Sequence, residues 1–180
     1  PSTPRPATDL GQAKIIKTAT NGGSVEGWHF SIFTADGTKV GDYVTDSTGI
    51  ITLDLEPGKY TVTETDGEYK YWLNDSQPSK TVTVVAGQTA KVTFRNQYRG
   101  QAQIIKTATN GGSVEGWHFS VFTADGTKVG DYVTDSTGII TLDLEPGVYT
   151  VKETDGKYTY WHNDPEAEKT VTVVAGQTSS

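Results

Sequence analysis

Three polar side chains stand where the strand pattern of the sequence predicts buried apolar residues. Lys17 follows AKII, Glu64 follows KYTVT and Asn96 follows KVTFR, and in each run the apolar residues occupy alternate positions. Because successive side chains of a strand point to opposite faces, each polar residue shares the inward face with its apolar neighbours. Burial of such groups is costly unless they satisfy one another, so we expect Lys17, Glu64 and Asn96 to form one cluster.

These three side-chain types can together make an amide bond. An apolar environment favours the uncharged forms of an amine and a carboxylic acid, and a neutral amine is a nucleophile. Lys17 could attack the carboxamide carbon of Asn96 while Glu64 polarises the carboxamide oxygen. Loss of ammonia would leave a Lys–Asn amide. The alternative is that all three residues lie at strand ends and extend their polar heads into solvent.

The elements that would position these residues occur twice in the chain of 180 residues. Residues 11–89 align without gaps on residues 100–178. A repeat of this length indicates two complete domains, which we place at residues 11–99 and 100–180. The preceding residues 1–10 (PSTPRPATDL) are rich in proline and predict an extended linker. The second copy has no counterpart of the segment KVTFRN, so we expect it to lack the last strand.

Strand and turn signals dominate both copies. Runs of alternating apolar and polar residues are separated by turn sequences such as Asp36-Gly37 and Pro57-Gly58 at regular intervals. No stretch of ten residues has the pattern of a helix. The sequence therefore predicts an all-β chain made of two tandem antiparallel β-sandwich domains.

Composition excludes several functional classes. The net charge is −7 and no basic run is present, which argues against a nucleic-acid partner. The absence of 18 consecutive apolar residues argues against membrane insertion. The chain has no cysteine and therefore no disulfide or thiolate metal site. No nucleophile elbow is present and no acid/base pair lies in a recognisable cleft motif, so we expect no enzyme acting on external substrates. We also expect no cofactor.

Histidine and aspartate residues give weak metal signals. The three histidines are not spaced as a metal cluster, and the aspartates lack the order of a calcium-binding loop, so we expect no metal site. Turn formation accounts for the aspartates. The residues concerned are His29, His118 and His162, and Asp36, Asp42 and Asp46 with their counterparts Asp125, Asp131 and Asp135.

Aromatic residues are concentrated in one loop of each copy, GEYKYWLND and GKYTYWHND. Exposed aromatic rings could stack on a sugar or bind a protein partner. The alternative is that one or two of them cap the end of the sandwich. The candidate ligand contacts are Tyr69, Tyr71, Trp72, Tyr158, Tyr160 and Trp161.

The order of IIKTAT, a turn-rich middle, PGKYTVTET and VTFRN resembles the collagen-adhesin B-type (CnaB, SpaA prealbumin-like) domains of Gram-positive surface adhesins and pilins. The resemblance covers residues 12–96 and 101–178. It implies an immunoglobulin-like (prealbumin-like) sandwich whose first and last strands are parallel neighbours. It also implies a spontaneous intramolecular isopeptide bond between Lys17 and Asn96, with Glu64 as the catalytic acid. Lys106 and Glu153 match in the second copy, where the Asn partner is absent.

The resemblance implies a structural stalk or spacer of an extracellular, cell-wall-attached protein whose partners are neighbouring repeats. The alternative is a binding module that recognises a host protein or glycan through the aromatic loops. Formation of the isopeptide bond is a single-turnover reaction, so the chain is not an enzyme in the usual sense. In the second copy we expect an open sheet edge and an unpaired buried charge on Lys106.

Overall fold

The computed structural model describes residues 9–180 and contains two compact units, the first ending at Gln97 and the second beginning at Tyr98. Every regular element in this range is a β-strand, so the prediction of an all-β fold is confirmed. Residues 1–8 of the predicted linker 1–10 lie outside the described residues. Within the described range, no helix is long and apolar enough to cross a membrane.

The first unit is built from two four-stranded sheets. One sheet has the strand order β4-β1-β8-β6 and the other the order β3-β2-β5-β7. The strands are β1 (Gly11–Ala19), β2 (His29–Thr34), β3 (Lys39–Val44), β4 (Ile50–Leu55), β5 (Gly58–Glu64), β6 (Trp72–Leu73), β7 (Ser79–Val84) and β8 (Thr89–Tyr98).

The core of the first unit lies between these sheets. Alternate residues of β1 are buried, as the pleat of a half-buried strand requires. Phe30 of β2 and Phe94 of β8 meet across the two sheets with ring centroids 5.0 Å apart. Both rings are almost completely inaccessible to solvent. Since β8 supplies Phe94, this last strand completes the core as well as the sheet.

The first and last strands of the unit are parallel neighbours. In the ladder Lys17 lies opposite Phe94 and Ala19 lies opposite Asn96, while β1 pairs antiparallel with β4 on its other side. Glu64 is the last residue of β5, which belongs to the facing sheet. The topology therefore brings residues that are far apart in the sequence to the same end of the core.

A tight turn supports the backbone of Lys17. The Lys17 N–H donates to the carbonyl of Gly49, which ends the turn between β3 and β4, at 2.7 Å. Gly49 has a φ of 72°, and a Cβ at this position would lie 2.8 Å from the Lys17 carbonyl oxygen. Glycine is therefore needed here both for the left-handed conformation and for the close approach.

The second unit repeats this plan with a shorter final strand. Its sheets have the orders β12-β9-β15 and β11-β10-β13-β14. The short strand β15 pairs in parallel with β9 only through Thr178 opposite Gln101 and Ser179 opposite Ala102. The strands are β9 (Gly100–Ile105), β10 (His118–Thr123), β11 (Lys128–Val133), β12 (Ile139–Leu144), β13 (Gly147–Glu153), β14 (Glu168–Val173) and β15 (Thr178–Ser179).

Candidate functional site

The structure brings Lys17, Glu64 and Asn96 together at the end of the first core. Lys17 Nζ lies 2.9 Å from Glu64 Oε2, and Asn96 Nδ2 donates to Glu64 Oε1 at 2.6 Å. The three residues are 2%, 6% and 0% exposed, respectively. The polar heads therefore do not extend into solvent, and one carboxylate contacts both the amine and the carboxamide nitrogen.

The carboxamide of Asn96 has a defined orientation. Its Oδ1 accepts a hydrogen bond from the Asp75 backbone N–H at 2.8 Å, and its Nδ2 also donates to Asn74 Oδ1 at 3.2 Å. A backbone N–H can only donate, so the oxygen of the carboxamide must face Asp75. The expectation that Glu64 polarises this oxygen is wrong, because the carboxylate accepts hydrogen bonds and therefore meets the NH₂ group.

An aromatic ring packs against the amine of Lys17. Lys17 Nζ lies 4.3 Å from the ring centroid of Trp28, whose indole N–H donates to the Ser24 carbonyl at 2.8 Å. Burial lowers the pKa of Lys17 from its ordinary value, and the hydrogen bond to Glu64 only partly offsets this effect. The site therefore makes the neutral, nucleophilic amine easier to form than it is in water.

The Asp75 side chain fixes the loop whose backbone N–H donates to the carboxamide oxygen of Asn96. Asp75 Oδ2 accepts hydrogen bonds from Lys80 Nζ at 2.8 Å and from the Arg95 backbone N–H at 2.9 Å. Lys80 also donates to the Thr93 carbonyl at 2.7 Å. We call Asp75 and Lys80 the clamp, because they join the loop to β8 beside Asn96.

The hydrogen-bond partners of the Asp75 carboxylate stabilise its ionised form. Burial by itself raises the pKa of the Asp75 carboxyl, but hydrogen bonds from Lys80 and from the backbone of Arg95 and Gln77 outweigh it, and the pKa lies below its ordinary value. Asp75 therefore stays ionised while its own N–H remains directed at the Asn96 oxygen.

Our interpretation of the sequence missed Asn74 and the clamp, although the repeat contains a signal for them. Between residues 68 and 79 the two copies differ at seven positions, yet Asn74 and Asp75 are the same in both, as is Lys80. Identity within a stretch that otherwise varies between the copies could have marked these residues as part of the site.

The second unit repeats the amine and the carboxylate of this site. Lys106 Nζ lies 3.1 Å from Glu153 Oε2 and 4.2 Å from the ring centroid of Trp117. The expectation of an unpaired charge on Lys106 is therefore wrong, because the neighbouring carboxylate compensates it. The side chains of Lys106 and Glu153 are 12% and 11% exposed, against 0% and 3% for Lys17 and Glu64.

The two tryptophans of the aromatic loops pack into the fold. Trp72 lies edge-on to Trp28 with centroids 4.9 Å apart, and Trp161 lies edge-on to Trp117 at 5.0 Å. These contacts place the loops over the ends of the two cores. Both tryptophans therefore pack over the ends of the sandwiches, and a ligand-binding role for them stays a prediction.

The tyrosines of these loops are more exposed. The hydroxyls of Tyr69 and Tyr158 donate to Asp66 and Asp155 at 2.7 and 2.9 Å, while Tyr160 is 99% exposed. Tyr71 and Tyr160 have positive φ angles of 73° and 114°. A ligand-binding role for this group stays a prediction.

The histidine and aspartate candidates have local structural partners. His29 Nδ1 lies 2.9 Å from Asp66 Oδ1, and His118 repeats this contact with Asp155. Asp46 accepts from the backbone N–H of Thr48 at 2.9 Å, as expected of a turn residue. Within residues 9–180, no group of three or more His, Asp or Glu side chains is arranged to hold a metal ion.

Comparison with known proteins gives one family match that covers both units. A model of the SpaA prealbumin-like fold domain matches residues 11–98 and 100–180. A search of curated protein sequences gives no match.

Solved structures with a similar fold include the following three proteins. The Bacillus anthracis TIE protein is 25% identical, with a TM-score of 0.50 over 94% of this chain and 32% of its own. A streptococcal ancillary pilin is 19% identical, with a TM-score of 0.46 over 92% of this chain and 59% of its own. The shaft pilin SpaA of Lactobacillus rhamnosus GG is 13% identical, with a TM-score of 0.40 over 94% and 96%. The chain thus spans about a third of the first of these proteins and just over half of the second.

Proposed function

This chain belongs to the SpaA prealbumin-like domain family, and we propose that it is a structural spacer of a Gram-positive surface adhesin or pilus-like protein, closed in its first unit by a Lys17–Asn96 isopeptide bond. The observation that supports the bond most strongly is the bridging carboxylate of Glu64, 2.9 Å from the amine and 2.6 Å from the carboxamide nitrogen.

The proposed reaction moves two protons of Lys17 to Glu64, one after the other. The Lys17 ammonium gives a proton to Glu64 Oε2, and the neutral amine attacks Cγ of Asn96. Glu64 Oε1 then passes the proton to the departing Nδ2 group. A C–N bond forms between Nζ and Cγ, the Cγ–Nδ2 bond breaks, and ammonia leaves. Glu64, again a carboxylate after this transfer, takes the second amine proton of Lys17 as the tetrahedral intermediate collapses, so the final amide is neutral and Glu64 is left protonated.

Charge that develops on Asn96 Oδ1 during this attack meets the Asp75 backbone N–H at 2.8 Å. A preformed donor at such a position stabilises an oxyanion without reorganisation. Burial of the site excludes water and strengthens this interaction. The reaction consumes its own side chains, so the chain is not an enzyme for external substrates.

A covalent bond between these residues would carry mechanical load. Lys17 lies in the first strand of the unit and Asn96 in the last, so tension applied to the ends would pass through the amide. The roughly 80 residues between them would then stay folded under load. Without the bond, these residues could extend by about 260 Å at ~3.3 Å per residue.

The proposed setting is the extracellular surface of a Gram-positive bacterium, with attachment to the cell wall and with neighbouring repeats as partners. Pilin-like prealbumin domains support a structural role in a pilus or adhesin. A spacer exposed to shear and to proteases gains from a cross-link that holds the fold closed.

Single-molecule pulling tests this function. The chain is held by its two ends, and the wild type is compared with Glu64→Gln. We expect one unfolding extension from the wild type, given by the second unit, and an additional extension of about 260 Å from the variant. Two full extensions from the wild type would contradict the proposal.

A further inference from the structure

An asparagine and a glycine form an exposed tight turn between β1 and β2. The Gly23 N–H donates to the Thr20 carbonyl at 3.0 Å and closes the turn around Asn21 and Gly22. Asn21 and Gly22 have φ angles of 54° and 73°, so both central residues are left-handed. This conformation is that of a type I′ turn, in which Asn-Gly is a preferred pair. Both residues are exposed to solvent.

The second unit repeats this turn between β9 and β10. Asn110 and Gly111 have φ angles of 54° and 74°, and the Gly112 N–H donates to the Thr109 carbonyl at 3.0 Å. The pair is again exposed. In each turn the asparagine Nδ2 donates to the hydroxyl of the preceding threonine, at 3.2 Å in the first unit and 3.5 Å in the second. The chain therefore presents the same Asn-Gly group to solvent twice.

The backbone nitrogen that follows each of these asparagines is not crowded by a side chain. Glycine has no Cβ, and a Cβ added at Gly22 or Gly111 would meet no atom within 4 Å beyond its chain neighbours. Attack of this nitrogen on the asparagine Cγ would close a five-membered succinimide ring. The backbone of the turn must rotate before the two atoms can meet, and an exposed turn opens at a small cost in free energy.

The other three asparagines of the chain lack these conditions. Asn96 is 0% exposed. Asn74 and Asn163 are each followed by an aspartate, whose side chain crowds the backbone nitrogen. The Nδ2 of each also donates to a glycine carbonyl at 3.0 Å, which holds the carboxamide in place. These two residues are therefore matched controls for the asparagines of the turns.

We propose that Asn21 and Asn110 are sites of spontaneous deamidation in the folded chain. The Gly22 nitrogen gives its proton to solvent and attacks Cγ of Asn21. An N–Cγ bond forms, the Cγ–Nδ2 bond breaks, and the departing nitrogen takes a proton from solvent and leaves as ammonia. Water then adds to one of the two carbonyl carbons of the succinimide and opens the ring, which gives aspartate or isoaspartate. Asn110 reacts in the same way with the nitrogen of Gly111.

The modification changes both the charge and the length of the turn. Each conversion adds one negative charge to a chain whose net charge is −7. Isoaspartate also places the Cβ of the former asparagine in the main chain and so lengthens the turn. In the first unit the Thr20 N–H donates to the Asn96 carbonyl at 3.2 Å, so the modified residue adjoins the pairing of the first and last strands. This inference goes beyond the spacer role and is independent of the Lys17–Asn96 bond.

Labelling with heavy oxygen tests the proposal on the folded full chain. The chain is incubated at mildly alkaline pH in water enriched in oxygen-18, digested with trypsin in ordinary water, and mapped by mass. The two turns are resolved because Ile32 lies in one peptide and Val121 in the other. We expect label at Asn21 and Asn110, at rates within about tenfold of the rate in the free peptide TATNGGSV, because exposed turns open readily.

The variant Asn21→Gly removes one carboxamide and keeps a residue that adopts the left-handed conformation. It should take up label at Asn110 at the wild-type rate and none at residue 21. Label at Asn74 or Asn163 at the rate of Asn110, or a rate at either turn more than about tenfold below that of the free peptide, would overturn the inference. Formation of the proposed isopeptide bond consumes no water, so label uptake reports deamidation alone.

Discussion

Asn96 Nδ2 donates to Glu64 Oε1 at 2.6 Å, so the nitrogen that must leave as ammonia already contacts the carboxylate that can protonate it. The other oxygen of the same carboxylate contacts the attacking amine of Lys17. One side chain therefore contacts both the group that gives up a proton and the group that receives it.

Replacement of Glu64 by glutamine should block bond formation. Glutamine keeps the shape of the side chain but transfers no proton, so the variant should fold and retain its full mass. A tryptic map should show separate peptides for Lys17 and Asn96. Glu153→Gln is the matched control in the second unit and should leave the first cross-link intact. Cross-linked peptide from Glu64→Gln would contradict the role of the carboxylate.

Loss of the clamp should slow the reaction. In Asp75→Ala the loop loses its links to Lys80 and Arg95, and the backbone N–H that faces Asn96 Oδ1 is no longer held. Misplacement of this kind lowers rates by about 10- to 100-fold. The rate of ammonia loss is followed by mass after refolding from denaturant. Asp164→Ala, the same change in the second unit, should leave this rate unchanged, and equal rates for all three chains would show that the clamp has no effect.

The reaction should become slower at high pH rather than accelerate continuously. The proposed transfer needs a proton on the Lys17 amine, and this proton is lost at high pH. Burial lowers the pKa of Lys17 below its ordinary value of 10.5, so the rate should fall on the alkaline side with a midpoint below 10.5. Unreacted chain is refolded at a series of pH values and the initial rate is measured. A rate that increases through pH 10.5 would mean that this proton is not required.

The cross-link should stabilise the first unit. A bond that closes a loop of roughly 80 residues contributes about 4–5 kcal/mol by restricting the unfolded chain, by analogy with a disulfide. Glu64→Gln should therefore lower the free energy of unfolding of this unit by at least that amount, since a buried ammonium also loses its carboxylate. Hydrogen exchange resolved by peptide should show faster exchange in β1 and β8 of the variant. Unchanged protection in these strands would exclude a stabilising cross-link.

The sequence was most informative where side-chain alternation decides the outcome. Alternation placed Lys17, Glu64 and Asn96 on inward faces, and the turn signals identified the strands around them. Alternation carries no information about main-chain donors in loops, so the contact from the Asp75 N–H to Asn96 was missed. The orientation of the Asn96 carboxamide depends on that contact and was therefore predicted incorrectly.

The second unit shows the same limit. From its sequence we predicted an unpaired charge on Lys106. That prediction considered the last strand but not the carboxylate of Glu153. In the structure Glu153 pairs with Lys106, and among residues 9–180 the buried side-chain atoms without a hydrogen-bond partner include Glu153 Oε1 and Asn163 Oδ1. Whether such an atom finds a hydrogen-bond partner depends on the distances between side chains of the two facing sheets. Strand periodicity contains no information about these distances.

The intact mass of the folded wild-type chain decides whether Lys17 and Asn96 are joined. We expect a mass lower than that of the unmodified sequence by one ammonia, together with a branched tryptic peptide that joins Lys17 to Asn96. A mass equal to that of the unmodified sequence, from a chain shown by hydrogen exchange to be folded in its first unit, would exclude the bond.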